Sequence, residues 1–93
     1  MATQTFSAEQ AAAIGTEIGI DWNSCPFDVE QFRAGMDIEL EHGSHDPQTD
    51  VTNDDPILTG KIAWAHLKEF PDYYARLEIM ETQAHKDWDE KTV

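Results

Sequence analysis

The stretch Phe27-Asp28-Val29-Glu30-Gln31-Phe32-Arg33-Ala34-Gly35-Met36-Asp37-Ile38-Glu39-Leu40 decides the fold class. Asp28 is a good N-cap, because its carboxylate can accept from the free amides of a first helical turn. Gln31, three residues on, completes the spacing of a capping box. Phe27 before the cap and Phe32 at the fourth helical position have the spacing of a hydrophobic staple. Val29, Phe32, Met36 and Leu40 then fall on one face at steps of three and four, and Gly43 supplies the stop.

Working upstream, Ser7 and Gln10 repeat the capping-box spacing, with Ile14 and Ile18 on one face and Gly19 at the end. Ile20 to Pro26 reads as a connector whose Ile20 and Trp22 tuck apolar surface inward. Downstream, Ser44 to Asp55 is a polar loop with Asp46, Asp50, Asp54 and Asp55. Clustered Asp suits calcium, yet the alternating acids, central Gly and terminal Glu of an EF-hand are not in register.

Asp55-Pro56 starts a third helix, running to about Glu69. Ile57, Leu58, Ile62, Ala63, Trp64, Ala65 and Leu67 make it apolar on most sides, which predicts a place in the middle of the packing. Pro71 opens a fourth, with a stripe of Tyr73, Leu77, Met80, Ala84 and Trp88. The charged end from Asp87 is expected to fray. No strand alternation is present. The expectation is an all-α bundle of about four helices, one domain over residues 1–93, with the second and third helices at its centre.

Composition narrows the function classes. Nineteen acidic residues against six basic give a formal net charge of −13, while 40% of the chain is apolar. Direct binding to nucleic acid is not expected, because it rests on Lys and Arg neutralising phosphates. An anionic membrane surface is equally unsuited. The acidity fits solubility, adaptation to a salty cytoplasm, or imitation of a phosphate backbone to block a nucleic-acid-binding protein. The single cysteine, Cys25, cannot form an intramolecular disulfide, which fits a reducing compartment. With no signal-peptide pattern and no apolar run of membrane-spanning length, a cytoplasmic location is expected.

One constellation suggests chemistry. Glu39-Leu40-Glu41-His42 contains Glu-x-x-His, and His66-Leu67-Lys68-Glu69 contains the reverse order. Residues three apart on a helix are neighbours, so Glu39 with His42, and His66 with Glu69, can each point at one place. Gly35, one turn before Glu39, leaves room there. If the second and third helices pack antiparallel, two carboxylates and two imidazoles converge. Helix bundles hold di-iron and di-manganese centres with such sets. Half the usual carboxylates are present per chain, so a two-metal site needs a symmetric homodimer. A single zinc, iron or manganese ion is simpler. The alternative is that His42 and His66 lock helix to helix through buried hydrogen bonds.

Other candidates are poorer. His45 and His85 fall where solvent is expected, and Tyr73 and Tyr74 read as core and rim aromatics. Ser7, Ser24 and Ser44 lack a nucleophile setting, Cys25 has no adjacent His, and no Gly-rich phosphate loop exists. Covalent catalysis is set aside.

The blocks Phe27 to Arg33, Gly35-Met36-Asp37 and Glu39-Leu40-Glu41-His42-Gly43 also resemble a known family, as do Asp55-Pro56, Gly60-Lys61-Ile62-Ala63, Ala65-His66-Leu67, Glu69 and Pro71-Asp72-Tyr73-Tyr74 with Leu77. It is a family of short bacterial and phage proteins known only as a domain of unknown function, number 5661. The similarity runs from the first helix to about Met80. It implies a compact helical domain and carries no activity or site residues. The sequence therefore supports a non-enzymatic binding module acting through protein–protein contacts, a nucleic-acid-mimicking inhibitor being one version. Metal binding through Glu39, His42, His66 and Glu69 is the alternative.

Overall fold

Residues 5–91 are described in a computed structural model. Four α-helices follow one another: α1 (Ala8–Ile18), α2 (Val29–Glu39), α3 (Pro56–Glu69) and α4 (Tyr73–Lys91). A 3₁₀ turn, Leu40–His42, extends α2, and no strand occurs among the described residues.

Both predicted capping boxes form. The Ser7 hydroxyl and the Asp28 carboxylate accept from the backbone N–H of Gln10 and Gln31, and each glutamine side chain accepts in return from the cap's own N–H. Gly19 ends α1 in the left-handed region, at φ 113°. Asp55 caps α3, accepting from the N–H of Ile57 and Leu58, with Pro56 in the first turn. These ends are local, so a few adjacent residues suffice to fix them.

The core gathers Phe6, Ala11, Ile20, Phe27, Phe32, Met36, Ala63, Leu67 and Tyr74. Helix α2 packs against each of the other three. Burying Phe32, Met36 and Leu67 contributes about 1.5–3 kcal/mol apiece. Trp22 seals the α1 end, meeting Phe27 and Phe32 edge-on and donating from Nε1 to the Ala12 carbonyl at 3.1 Å. Arg33 is buried on α2. Its guanidinium grips both Glu30 oxygens at 2.6 and 2.7 Å and donates to Asp37 at 2.7 Å. Asp37 in turn accepts from the Thr5 and Phe6 amides, tying the segment before α1 across α2.

Two helical faces differ from expectation. Helix α3 is not enclosed on most sides: it buries Thr59, Gly60, Ala63 and Leu67, whereas Leu58 is 44% exposed and Ala65 is exposed. Small residues win this face because they admit close approach. A Cβ on Gly60 would stand 2.9 Å from Ile14 and 3.4 Å from the Phe32 ring. On α4, Tyr73 and Leu77 of the stripe pack against the core, together with Tyr74, which the stripe left out. Beyond Leu77 the helix runs on, with Ile79 72% and Met80 55% exposed. It stays helical through Lys91, so the expected fraying from Asp87 does not occur up to that point. The last two residues of that expectation lie outside the described residues.

Candidate functional site: a buried carboxylate shared by three helices

Glu39 closes α2 and is 3% exposed, unusual for a residue type that is almost never buried unless paired. Its partners come from three directions. From α4, the Tyr74 hydroxyl donates to Oε2 at 2.6 Å. That length belongs to hydrogen bonds with an ionised oxygen. From α3, His66 Nε2 lies 3.6 Å from the same oxygen. From the 3₁₀ turn, His42 Nε2 lies 3.4 Å from Oε1. Side chains three apart eclipse on a 3₁₀ turn, which sets His42 above Glu39.

Gly35 makes the room that the sequence suggested, and the Tyr74 ring fills it. A Cβ on Gly35 would stand 2.9 Å from Tyr74 Cδ2 and Cζ and closer still to Cε2. His66 stacks on Tyr73, with centroids 4.2 Å apart and planes 11° from parallel, while Tyr73 and Tyr74 meet edge-on at 5.0 Å. Burial and the bond to Glu39 hold the Tyr74 hydroxyl far above the ordinary phenol range, so it is a proton donor throughout. Tyr73 is raised too, by burial first and then by the surrounding carboxylates of Glu39, Glu69, Glu41 and Glu81.

The structure thus brings Glu39 and His42 together on one turn, and the packing of α3 adds His66. Glu69 stands apart from that meeting point. Its Oε1 lies 3.6 Å from Nδ1 of His66, the ring nitrogen away from Glu39. That Nδ1 is buried and makes no hydrogen bond. Among the described residues no group of three or more His, Cys, Asp and Glu is arranged to hold a metal ion. Tyr74, absent from the sequence-based set, supplies the one short bond. Its partner is 35 residues away, and the only sequence signal was the hole at Gly35 that something bulky had to fill.

The remaining candidates lie elsewhere. His45 Nε2 sits 3.0 Å from the Glu41 carbonyl at the surface, and exposed His85 lies 3.6 Å from Asp89. In the acidic loop, Asp46 and Asp50 accept from Gln48 and Asn53 amides, and Asp54 binds the Ser44 amide and hydroxyl. These carboxylates hold the loop's own turns, including the left-handed Asn53 and Asp54.

A second feature is a groove of about 470 Å³ between α2 and α4. Ala34 and Ile38 line it from α2, Leu77 from α4, and Leu67 of α3 with Tyr74 lies at its base. Glu30, Asp72, Glu78 and Glu81 stand around it. Glu30 is tied to Arg33 and Asp72 to Arg76, whereas Glu78 and Glu81 have no ion-pair partner among the described residues.

Fold and centre together define a small all-α bundle whose helices meet on one buried glutamate. No described helix is long and apolar enough to cross a membrane. The chain belongs to the family described as "Protein of unknown function (DUF5661)", whose match spans residues 11–83. No curated protein and no solved structure matches the chain. The family match takes in Glu39, His42, His66, Tyr74 and all the groove residues named above, and stops within α4.

Proposed function

We propose that the protein is a non-enzymatic binding module that seats a helix of a partner protein in the groove between α2 and α4. The observation that carries this reading is the divergence of α4. Its packing on the core ends at Leu77, and the helix continues for more than three further turns with apolar side chains in solvent. A bundle that stops pairing one of its helices leaves a slot for another. The inner walls are apolar and the rim is charged, as in grooves that accept amphipathic helices. The nucleic-acid-mimicking inhibitor is the special case in which that helix otherwise contacts phosphates.

Site-specific photocrosslinking in cells tests the reading. A photoreactive residue at Ala75 or Thr82, both exposed and lining the groove, is expected to trap a protein partner. The same residue at Thr16 on α1 serves as control. Adducts at Thr16 alone, or none at any position, overturn it.

The Glu39 centre supports a second reading. At 3.4 and 3.6 Å, the two imidazoles are too far for hydrogen bonds. The carboxylate and the two imidazoles are donor types that such ions take, and side-chain movement is needed to bring them to ligating positions. Zinc, iron or manganese would draw in His42, the more exposed member at 44%. A thermal shift on adding zinc that disappears in a His42→Ala, His66→Ala double variant supports this reading, and an unchanged melting curve removes it.

A further inference from the structure

We infer that the occupant of the groove is a cationic amphipathic helix of another protein, rather than a second copy of this chain or an uncharged helix. This rests on the binding-module reading above and adds the chemistry of the partner. The apolar part of the groove asks for an apolar stripe. Ile38 is half-buried, Ala34 leaves a shallow seat, and Leu77 faces them from α4.

The charge around the groove then selects the sign. Four carboxylates stand there, against a single residue able to carry positive charge, His85. Arg33 and Arg76 engage Glu30 and Asp72. Glu78 and Glu81, one turn apart along α4, are left without a cation among the described residues, and Glu81 is already half-buried. Seating an uncharged helix would desolvate Glu81 further with no compensation, which is costly for a carboxylate. A Lys or Arg flanking the apolar stripe of the incoming helix offsets that cost by pairing with it.

The same reasoning disfavours a second copy. Each chain carries a formal charge of −13. The exposed arm of α4 that would enter a neighbour's groove brings its own Glu78, Glu81, Asp87 and Asp89 against the acidic rim. Like charges brought together across an interface oppose association.

Four designed helical peptides of equal length separate the alternatives: a leucine stripe flanked by lysine, by glutamine or by glutamate, and a lysine peptide with its leucines scrambled off the stripe. Binding is read by isothermal titration, with the site mapped by amide chemical shifts. The striped lysine peptide is expected to bind at least tenfold more tightly than the glutamine one, with shifts at Ala34, Ile38 and Leu77. A Glu78→Gln, Glu81→Gln variant is expected to lose roughly that advantage while still binding the glutamine peptide. Glu78 is exposed and Glu81 half-buried on α4, and an unchanged circular dichroism spectrum confirms the fold.

Equal affinity for the lysine and glutamine peptides, mapped to the groove, overturns the charge inference and leaves the binding-module reading standing. Equal affinity for the striped and scrambled lysine peptides shows mere charge attraction and overturns the inference. No peptide at the groove overturns inference and reading together. A dimer in sedimentation equilibrium that dissociates in Ala34→Arg makes the second copy the occupant and overturns the inference.

Discussion

Replacing Tyr74 by Phe tests the shared carboxylate most directly. The ring stays, so no cavity opens and Gly35 keeps its neighbour. What goes is the 2.6 Å donation to Glu39, the only hydrogen bond to that carboxylate among the described residues. The two imidazoles stand at 3.4 and 3.6 Å, too far to replace it. A hydrogen bond to a charged group contributes about 1.5–3 kcal/mol, and leaving a buried acceptor unmet pushes the loss to the upper end. Tyr74→Phe is therefore expected to lower the unfolding free energy by about 2–3 kcal/mol. With a slope near 1 kcal/mol per molar for a domain this small, that is a fall of about 2–3 M in the urea midpoint. Glu39→Met removes the acceptor, and in the double variant neither group needs a partner. The double variant should then cost less than the two single costs added, by about 1.5–3 kcal/mol. The alkaline limb gives a second readout. The Tyr74 hydroxyl titrates far above its unfolded value of about 10. Its contribution is complete below that value and is lost as pH rises through it toward the folded one, at a limiting slope of about 1.4 kcal/mol per pH unit. Tyr74→Phe should lack that part of the slope. A variant within about 0.5 kcal/mol of the parent, with additive double-variant costs and the same alkaline slope, would refute the account.

Gly35→Ala should destabilise even though alanine is favoured over glycine in a helix by about 1 kcal/mol. Its methyl group would overlap the Tyr74 ring, and overpacking costs about 1–3 kcal/mol, so a raised melting temperature in calorimetry would contradict the packing. Asp28→Ala should cost about 1 kcal/mol by urea titration, the usual loss for an N-cap, since the Gln31 amide loses its acceptor. Ile79→Gln and Met80→Gln should each change stability by less than about 0.5 kcal/mol, as expected at open surface sites. A loss above about 1 kcal/mol that grows with protein concentration would mean that another copy covers this arm.

The parts legible in the sequence were those decided within a few residues. Ser7 with Gln10, Asp28 with Gln31, and Asp55 with Pro56 each state a helix start in full, and all three form. Glu39 with His42 was legible because three residues make one turn. His66 joined them because α2 and α3 pack with the polar ends of their faces in register. The errors share a cause. Reading α3 by its largest apolar residues points to Leu58 and Ile62, but helices approach closest where side chains are smallest. Gly60 and Ala63 took the contact and left Leu58 half in solvent. On α4, a regular stripe cannot say where the neighbouring helix ends, so Met80 and Trp88 read as core although nothing in the bundle reaches far enough to bury them. Tyr74 and Glu39 meet over a separation of 35 residues, which only the angle between α2 and α4 determines.

That angle joins the two features of the molecule. Helix α4 is held at its first turn by Tyr74, whose ring sits on Gly35 and whose hydroxyl is fixed by Glu39. Everything beyond Leu77 is a lever on that pin. From Tyr74 to His85 the helix rises about 16 Å, so a tilt of about 10° at the pin moves the His85 end by about 3 Å. Along the wall that carries Leu77, Glu78 and Glu81, nearer the pin, the same tilt narrows or widens the groove by about 1–2 Å. A buried carboxylate is costly, and an apolar residue of similar volume would often be tolerated with no loss of stability. Its directional bond supplies something that apolar contact does not, a fixed orientation for the helix it holds. The polar centre thereby orients the groove wall that α4 supplies, and a change at Glu39, which does not line the groove, would still alter its width.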